Sequence, residues 1–399
     1  ASLKGAEGYS STIKGVINKG VMSAINTSTN GNAPKASGLL GVYDNLTLPV
    51  EIISCASTGN INVTSSKPDP QVAQLTLDAR NTQITNSWSF AKSSVEVIAS
   101  GGEVREIATA DELVRFANDS KNNSRLSAKL TADIDMTGKE FPGITSYGKP
   151  YTGTFDGQGH TIKNLKCIIT SGDNNVGTVC GFINNIGKED WNPATGALKN
   201  IIFDESCTFE ITGFKEWPNS IAVGIIAKAQ GSGAPVNIEG VVSKAKIVAH
   251  TVDNNTTVYA AGIVGQKEDN VVLNINNCGI ASSITIDAHD VAKVNHAAIV
   301  PNGNNTTISN SWAVCTATIN GTASTPNFTG SGSATTSNCY TNGETGTGIE
   351  TAPDNMNTEE FVGILNNGAS NGAWAVSTEE NAGKYALPYP YIQIAEIGE

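Results

Sequence analysis

Long apolar runs are missing. No stretch reaches 18 consecutive apolar residues, so no segment is expected to cross a membrane as a helix. Arginine is almost absent. Four occur in 399 residues, none after Arg125, in a chain of net charge −12. That balance argues against nucleic acid or an anionic membrane as partner, because both are bound through clustered cations. Cysteine is sparse and odd in number, seven in all, with no Cys-x-x-Cys pair. A disulfide framework, a zinc ribbon and a thioredoxin-like redox motif are therefore not indicated. The thiols are expected as small buried apolar residues. His-Glu-x-x-His and a serine nucleophile elbow are also absent. No cofactor is implied.

Polarity sits in Asn, Thr and Ser instead of charge, which is only 16% of the chain. Gly (41) and Asn (42) together make about a fifth of the residues, enough for many tight turns between short strands. This is the profile of an all-β extracellular chain. No signal peptide is visible, and Ala1 begins inside a repeat. The expectation is a removed leader, or a chain cut from something longer.

Internal repeats decide the architecture. One phrase is Gly, two apolar residues, then a small one: Gly38 to Gly41, Gly224 to Ala227 and Gly262 to Gly265, with Gly177 to Cys180 and Ala298 to Pro301 as degenerate copies. A second is Ile-x-Asn-small, ending at Ser87, Leu165, Ile201, Cys278 and Ser311, with looser copies ending at Val16, Cys55, Val241 and Cys339. A third apolar patch follows at Phe209, Ile247, Ile284 and Ala317. The anchors Ile162, Leu198, Ile238, Ile275 and Ile308 step by 36, 40, 37 and 33 residues.

A unit of that length with three short β runs and no helix is one coil of a solenoid. Each strand is too short to bury itself. Stacking at about 4.8 Å pairs every backbone group between coils and builds one continuous core. Nine such coils stack to about 40 Å. The third position of the second phrase is Gly15, Ser54, Asn86, Asn164, Asn200, Gly240, Asn277, Asn310 and Asn338. Asn and Gly tolerate positive φ, so a tight bend is expected there in every coil. The next position is expected to face inward, which accounts for Cys55, Cys278 and Cys339.

Two helices interrupt the pattern. Thr109-Ala110-Asp111-Glu112 is a capping box before Leu113, Phe116 and Ala117 at helical spacing. Asn357-Thr358-Glu359-Glu360 suggests the same before Phe361, Ile364 and Leu365. The fold class is therefore a right-handed parallel β-helix. Residues 1–100 are expected to form N-terminal coils and 101–352 the main β-helix, with a helix inserted near 109–120. Residues 353–399 are expected to cap the exposed last coil.

The stretch from Ile107 through Leu113, Leu130-Thr131-Ala132-Asp133-Ile134-Asp135, and Gly153-Thr154-Phe155-Asp156-Gly157-Gln158-Gly159-His160 resembles the GLUG-motif β-helix proteins of Bacteroides-type bacterial surfaces. Related segments occur in the immunoglobulin-A protease family outside its catalytic domain. The Gly262 to Gly265 phrase matches the repeat that names the group, and the Phe361 helix with the final Tyr-Pro resembles its C-terminal end. The likeness spans about 290 residues and concerns structural positions, so it implies a fold and a surface location without a reaction. One departure is clear: the helix and Asp-Ile-Asp segment usually opens such a domain, whereas about 100 residues precede it here.

Parallel β-helices also carry pectin-type hydrolases and lyases. Asp133 and Asp135 share a strand face, and Asp156 lies in the turn before His160, so paired carboxylate chemistry has candidates. The competing reading is turn capping. Cations for a uronate are only scattered lysines. His250 and His289 end matching strings, Ile247-Val248-Ala249-His250 and Ile286-Asp287-Ala288-His289, and would stack as a two-imidazole pair with no obvious third ligand. The competing reading is two polar residues at one turn. Trp191 and Trp217 fall in polar segments off the repeat register, and an exposed indole stacks well on a sugar face. Trp88 and Trp312, in matching Asn-Ser-Trp contexts, read as ladder positions. Segments 184–197, 228–235, 266–270 and 301–305 fill one slot of successive coils and should emerge on one edge. Trp191→Ala is expected to weaken a ligand there by about 1–3 kcal/mol.

These features imply a non-catalytic, monomeric, extracellular protein anchored at the bacterial outer membrane. It would be adhesin-like or glycan-binding, with a host or dietary glycan or a surface protein as partner. The alternatives are a polysaccharide hydrolase or lyase with an atypical site, and a structural accessory subunit of an outer-membrane nutrient-uptake complex.

Overall fold

Asparagine and glycine set the corners. Ser54, Asn164, Asn200, Asn277, Asn310 and Asn338 have φ between 49° and 56°, and Gly240 has φ 68°. Every described residue at the third position of the Ile-x-Asn phrase is thus left-handed, a region in which most side chains clash with their own backbone. The computed structural model describes residues 2–4, 11–14, 16–19, 22–26, 35–37, 42–44, 50–57, 61–65, 71–73, 82–85, 87–89, 93–97, 104–170, 178–188, 195–214, 220–231, 235–252, 255–367, 373–377 and 391–392. Gly15 and Asn86 lie outside them.

The chain divides into two compact units, Ala1–Glu103 and Val104–Glu399. In the first, Ser11–Lys14, Val50–Ile53 and Thr82–Thr85 form a parallel three-stranded sheet with Ile13, Ile52 and Ile84 in register. Ile17–Asn18, Ala56–Ser57 and Trp88–Ser89 form a second, and Met22–Asn26, Ile61–Ser65 and Ser93–Val97 a third. Ile52 and Cys55 are fully buried in the middle coil. Val16, expected to face inward, is 43% exposed. It adjoins the outer strand of its sheet, where no further coil covers it among the described residues.

The second unit is a parallel β-helix. One face is a twelve-stranded sheet that includes Ala197–Phe203, Val236–Ser243, Leu273–Asn276, Thr306–Ala313 and Thr335–Thr341. Another holds Lys166–Ile169, Thr208–Phe214, Lys246–Thr251, Ser283–Ala288 and Thr316–Ile319. A third holds Thr178–Cys180, Ser220–Val223, Thr257–Ala261 and Val294–Ala297. Leu198, Ile238, Ile275 and Ile308 stack in register and are buried, as are Phe209, Ile247, Ile284 and Ala317. Each of these Leu, Ile and Phe side chains contributes about 1.5–3 kcal/mol by leaving water, and Ala317 less.

Gly177 to Cys180 is not the copy of the glycine phrase in its coil. Cys180 pairs with Val223 and Ile183 with Ile226, so Gly181-Phe182-Ile183 is the equivalent of Gly224-Ile225-Ile226. The bulk of Phe182 hides the likeness. That ring stacks on Phe141 and meets Phe155 and Phe203 edge-on, with centroids 4.9–5.4 Å away.

Helix α1 (Ala110–Ser120) has the expected capping box, Thr109 Oγ1 accepting from the Glu112 amide and Glu112 Oε2 from the Thr109 amide. It buries Leu113, Phe116 and Ala117 against the first coils. Helix α2 (Glu359–Leu365) is capped by Thr358 instead of Asn357. Asn357 is engaged elsewhere, donating to the Ser377 carbonyl and accepting from its amide. Phe361, Val362, Leu365 and Trp374 cover an outward column of Ile202, Val242, Trp312 and Tyr340 on the large sheet. The described part of 353–399 therefore lies along a flank of the coils. A Cβ on Gly279 would meet the Trp312 ring at 2.4 Å, so only glycine leaves room for the indole above it. No helix among the described residues is long and apolar enough to cross a membrane.

Candidate functional site: a cleft beside α1

The carboxylates of the hydrolase reading are tied into turns. Asp133 Oδ1 accepts from His160 Nδ1 and the Thr161 amide, both at 3.0 Å. Asp135 Oδ1 accepts from Thr137 Oγ1 (2.6 Å), the Thr137 amide (2.9 Å) and Asn164 Nδ2 (2.9 Å). These bonds, the Thr137 hydroxyl first, hold its pKa down at about 2. Asp156 accepts from the Gln158 amide, Gln158 Nε2 and Asn200 Nδ2. Carboxylates whose oxygens are taken up by turn donors suit structural caps and are poorly placed to act as general acids.

The histidine pairing is corrected. Ile247 pairs with Ile284, so His250 faces Asp287 and not His289. His250 Nδ1 lies 3.7 Å from Asp287 Oδ2. The two matching strings are offset by two residues, because repeated Ile and Ala at alternating positions fit either register. Among the described residues no three His, Cys, Asp or Glu side chains converge as a metal-ligand set. Trp191 and Trp217 lie outside the described residues, and Trp88 pairs through its backbone with Ala56.

The described parts of the four edge segments do stack. Lys228 pairs with Gln266 and Asn185 with Lys228, while Asn302 and Asn305 bond Asp269 through their side chains. Lys228 Nζ pairs with Glu268 at 3.0 Å and sits 5.2 Å from the Tyr147 ring. A cleft of about 350 Å³ lies on this edge, between Tyr259, Asp269 and Asn302. Its charges are already paired or bonded to neighbours.

A larger cleft, about 960 Å³, opens where α1 faces the first coils. Val114 and Asn118, one helical turn apart, form one wall. Segment 136–142 forms the second. Gly138 with φ 74° turns that chain, and the Phe141 amide then bonds the Lys166 carbonyl. The third wall is the outward face of Lys166–Ile169, with Lys166 and Ile168, continued by Thr170 just past its end. Lys139 Nζ pairs with Asp111 Oδ1 at 2.6 Å and ties segment 136–142 to the first turn of α1.

The floor is apolar, with Met136 and Phe141 buried beneath it. Ile168 stands out at 46% exposure. In the following coils the same row carries Glu210, Val248, Thr285 and Thr318. Around this floor Asn118, Glu140 and Lys166 are exposed, and the described residues offer their side chains no hydrogen-bond or ion-pair partner. The cleft therefore offers one apolar platform with an amide, a carboxylate and an ammonium exposed around it. Sequence reasoning missed it because its walls come from three separate segments. The one available signal was alternation in Lys166-Cys167-Ile168-Ile169, which places Ile168 outward when Cys167 is inward.

No family model matches the chain, and no curated protein matches it. A solved structure described as a "putative immunoglobulin A1 protease from Bacteroides ovatus" is similar to it, at 20% identity and a TM-score of 0.40, over 74% of this chain and 93% of that one. At that overlap the likeness carries no inference about activity.

Proposed function

We propose that the protein is a non-catalytic β-helix of a bacterial cell surface that binds a saccharide in the cleft beside α1. The supporting observation is the cleft's composition: an exposed Ile168 platform ringed by the free polar groups of Asn118, Glu140 and Lys166. Apolar contact with a sugar face supplies affinity, and hydroxyls paired with amide, carboxylate and ammonium supply selectivity. The polar, weakly charged composition suits an exported monomer held at the outer membrane, acting as an adhesin or as an accessory to nutrient uptake. Chemistry on the saccharide is not part of the proposal, since Asp133, Asp135 and Asp156 are all engaged in turns.

A glycan array of the purified protein, followed by calorimetry on the hit, tests this reading. Ile168→Asp and Lys166→Ala should each weaken binding by about 1–3 kcal/mol without unfolding the coils. Trp191→Ala separates the cleft from the edge that segment 184–197 is expected to share. Loss of binding in Trp191→Ala with full binding in Ile168→Asp would move the site to that edge. Release of new reducing ends from the bound glycan would favour the hydrolase or lyase reading instead.

A further inference from the structure

The seven cysteines differ in what their sulfurs face. Cys207, Cys278, Cys315 and Cys339 direct Sγ at backbone carbonyls of neighbouring strands, and Cys55 does the same in the first unit. Cys180 instead places Sγ 3.1 Å from Cys167 Sγ, as well as 3.0 Å from the Cys167 carbonyl. Both side chains are buried, at 2% exposure for Cys167 and 0% for Cys180. They belong to Lys166–Ile169 and Thr178–Cys180, consecutive strands of one coil that lie in different sheets. Backbone pairing ties each strand to the next coil, Cys167 to Phe209 and Cys180 to Val223, but not to each other. At that corner the next coil carries Phe209 and Val223, and the one after it Ile247 and Ala260. One coil thus carries two touching sulfurs where its neighbours carry two apolar side chains.

We propose that Cys167 and Cys180 form an intramolecular disulfide when the chain folds in the presence of a disulfide donor. One protein thiolate attacks a donor sulfur and expels a donor thiolate. The second protein thiolate then attacks the protein sulfur of the mixed disulfide and expels the remaining donor thiolate. Two protein thiols are oxidised, the donor disulfide is reduced to two thiols, and the two released protons balance the expelled thiolates. Closure needs a sulfur displacement of only about 1 Å, from contact to the bonded distance of about 2.05 Å. The bridge joins residues thirteen apart in the chain and staples the strand that carries Ile168 to the sheet holding Thr178–Cys180. Burial pushes the Cys180 thiol well up in pKa, so exchange belongs to folding and not to the finished coil.

The full chain is refolded with a mixture of oxidised and reduced glutathione, and in parallel with reductant only. Thiols are counted in denaturant on the soluble, folded fraction, and disulfide-linked peptides are mapped. The proposal expects five of the seven thiols to remain in the oxidised sample, a mass two units lower, and one linked peptide pair joining Cys167 to Cys180. Cys167→Ser and Cys180→Ser should each keep all six remaining thiols under the same conditions. Seven free thiols in the oxidised wild-type chain, or a link between any other two cysteines, would overturn it.

Discussion

Asn310 carries the corner of one coil through both its backbone and its side chain, and the two contributions are separable. Its φ is 49°. Its Nδ2 donates to Asn276 Oδ1 at 3.2 Å, and its Oδ1 accepts from Asn338 Nδ2 at 2.9 Å and Asn367 Nδ2 at 3.1 Å. Asn310→Gly keeps the left-handed bend and removes three amide bonds, each worth about 0.5–1 kcal/mol in a half-buried setting, for a loss of about 1.5–3 kcal/mol. Asn310→Ala removes the same bonds and adds about 1–2 kcal/mol of left-handed strain. The lower entropy of unfolded alanine returns about 0.4–1 kcal/mol of that. Alanine should therefore fall below glycine by about 1 kcal/mol, the reverse of the order at an ordinary position. Urea unfolding reads this through tryptophan fluorescence, because Trp374 lies 6.0 Å from Trp312 and donates to the Asn310 carbonyl. An alanine variant as stable as the glycine variant would refute the assignment of this position as a left-handed corner.

Other expectations follow from particular residues. Phe182→Ala empties the space between Phe141, Phe155 and Phe203 and should cost about 3–5 kcal/mol in the unfolding of the second unit; a cost below about 1 kcal/mol would remove Phe182 from the core. Asp135 should titrate near 2 by carbon-detected NMR, below the ordinary value of 3.8. Because the folded pKa is the lower one, its stabilising contribution is complete above pH about 4 and is lost as pH falls toward 2. Thr137→Val should raise that midpoint, and an unchanged midpoint would contradict the hydrogen-bond cause. Cys55 and Cys278 are fully buried, and burial pushes the Cys278 thiol up to about 12. Neither should react with a maleimide in the native protein, while both should react promptly in denaturant; rapid native labelling of either would place it at the surface.

The coils were legible because their corners demand a rare backbone conformation. Only Asn, Gly and, at Ser54, a small polar residue occupy the described left-handed positions of the ladder, so residue type reported geometry directly. The inward ladder after each corner followed from the same register, down to fully buried Ser311, whose hydroxyl bonds the Cys278 amide. What failed was register between coils whose strings fit two alignments, as with His250 and His289, and coverage at an outer strand, as with Val16. The cleft was not legible because it is not a repeat feature. It exists where α1 interrupts the coils, and Asn118, Glu140 and Lys166 come together only after the chain has folded around that helix. The α2 cap moved by one residue for a similar reason: Asn357 is held by the Ser377 backbone twenty residues on, which no local pattern encodes.

Hydrogen–deuterium exchange with and without the saccharide found by array screening tests the central proposal most directly. Peptides covering 110–120, 136–142 and 164–170 should slow on binding, and Ile168→Asp should abolish that protection. Protection confined to 184–197 and 228–235, or no local protection at a saturating saccharide concentration, would contradict the assignment of the cleft as the binding site.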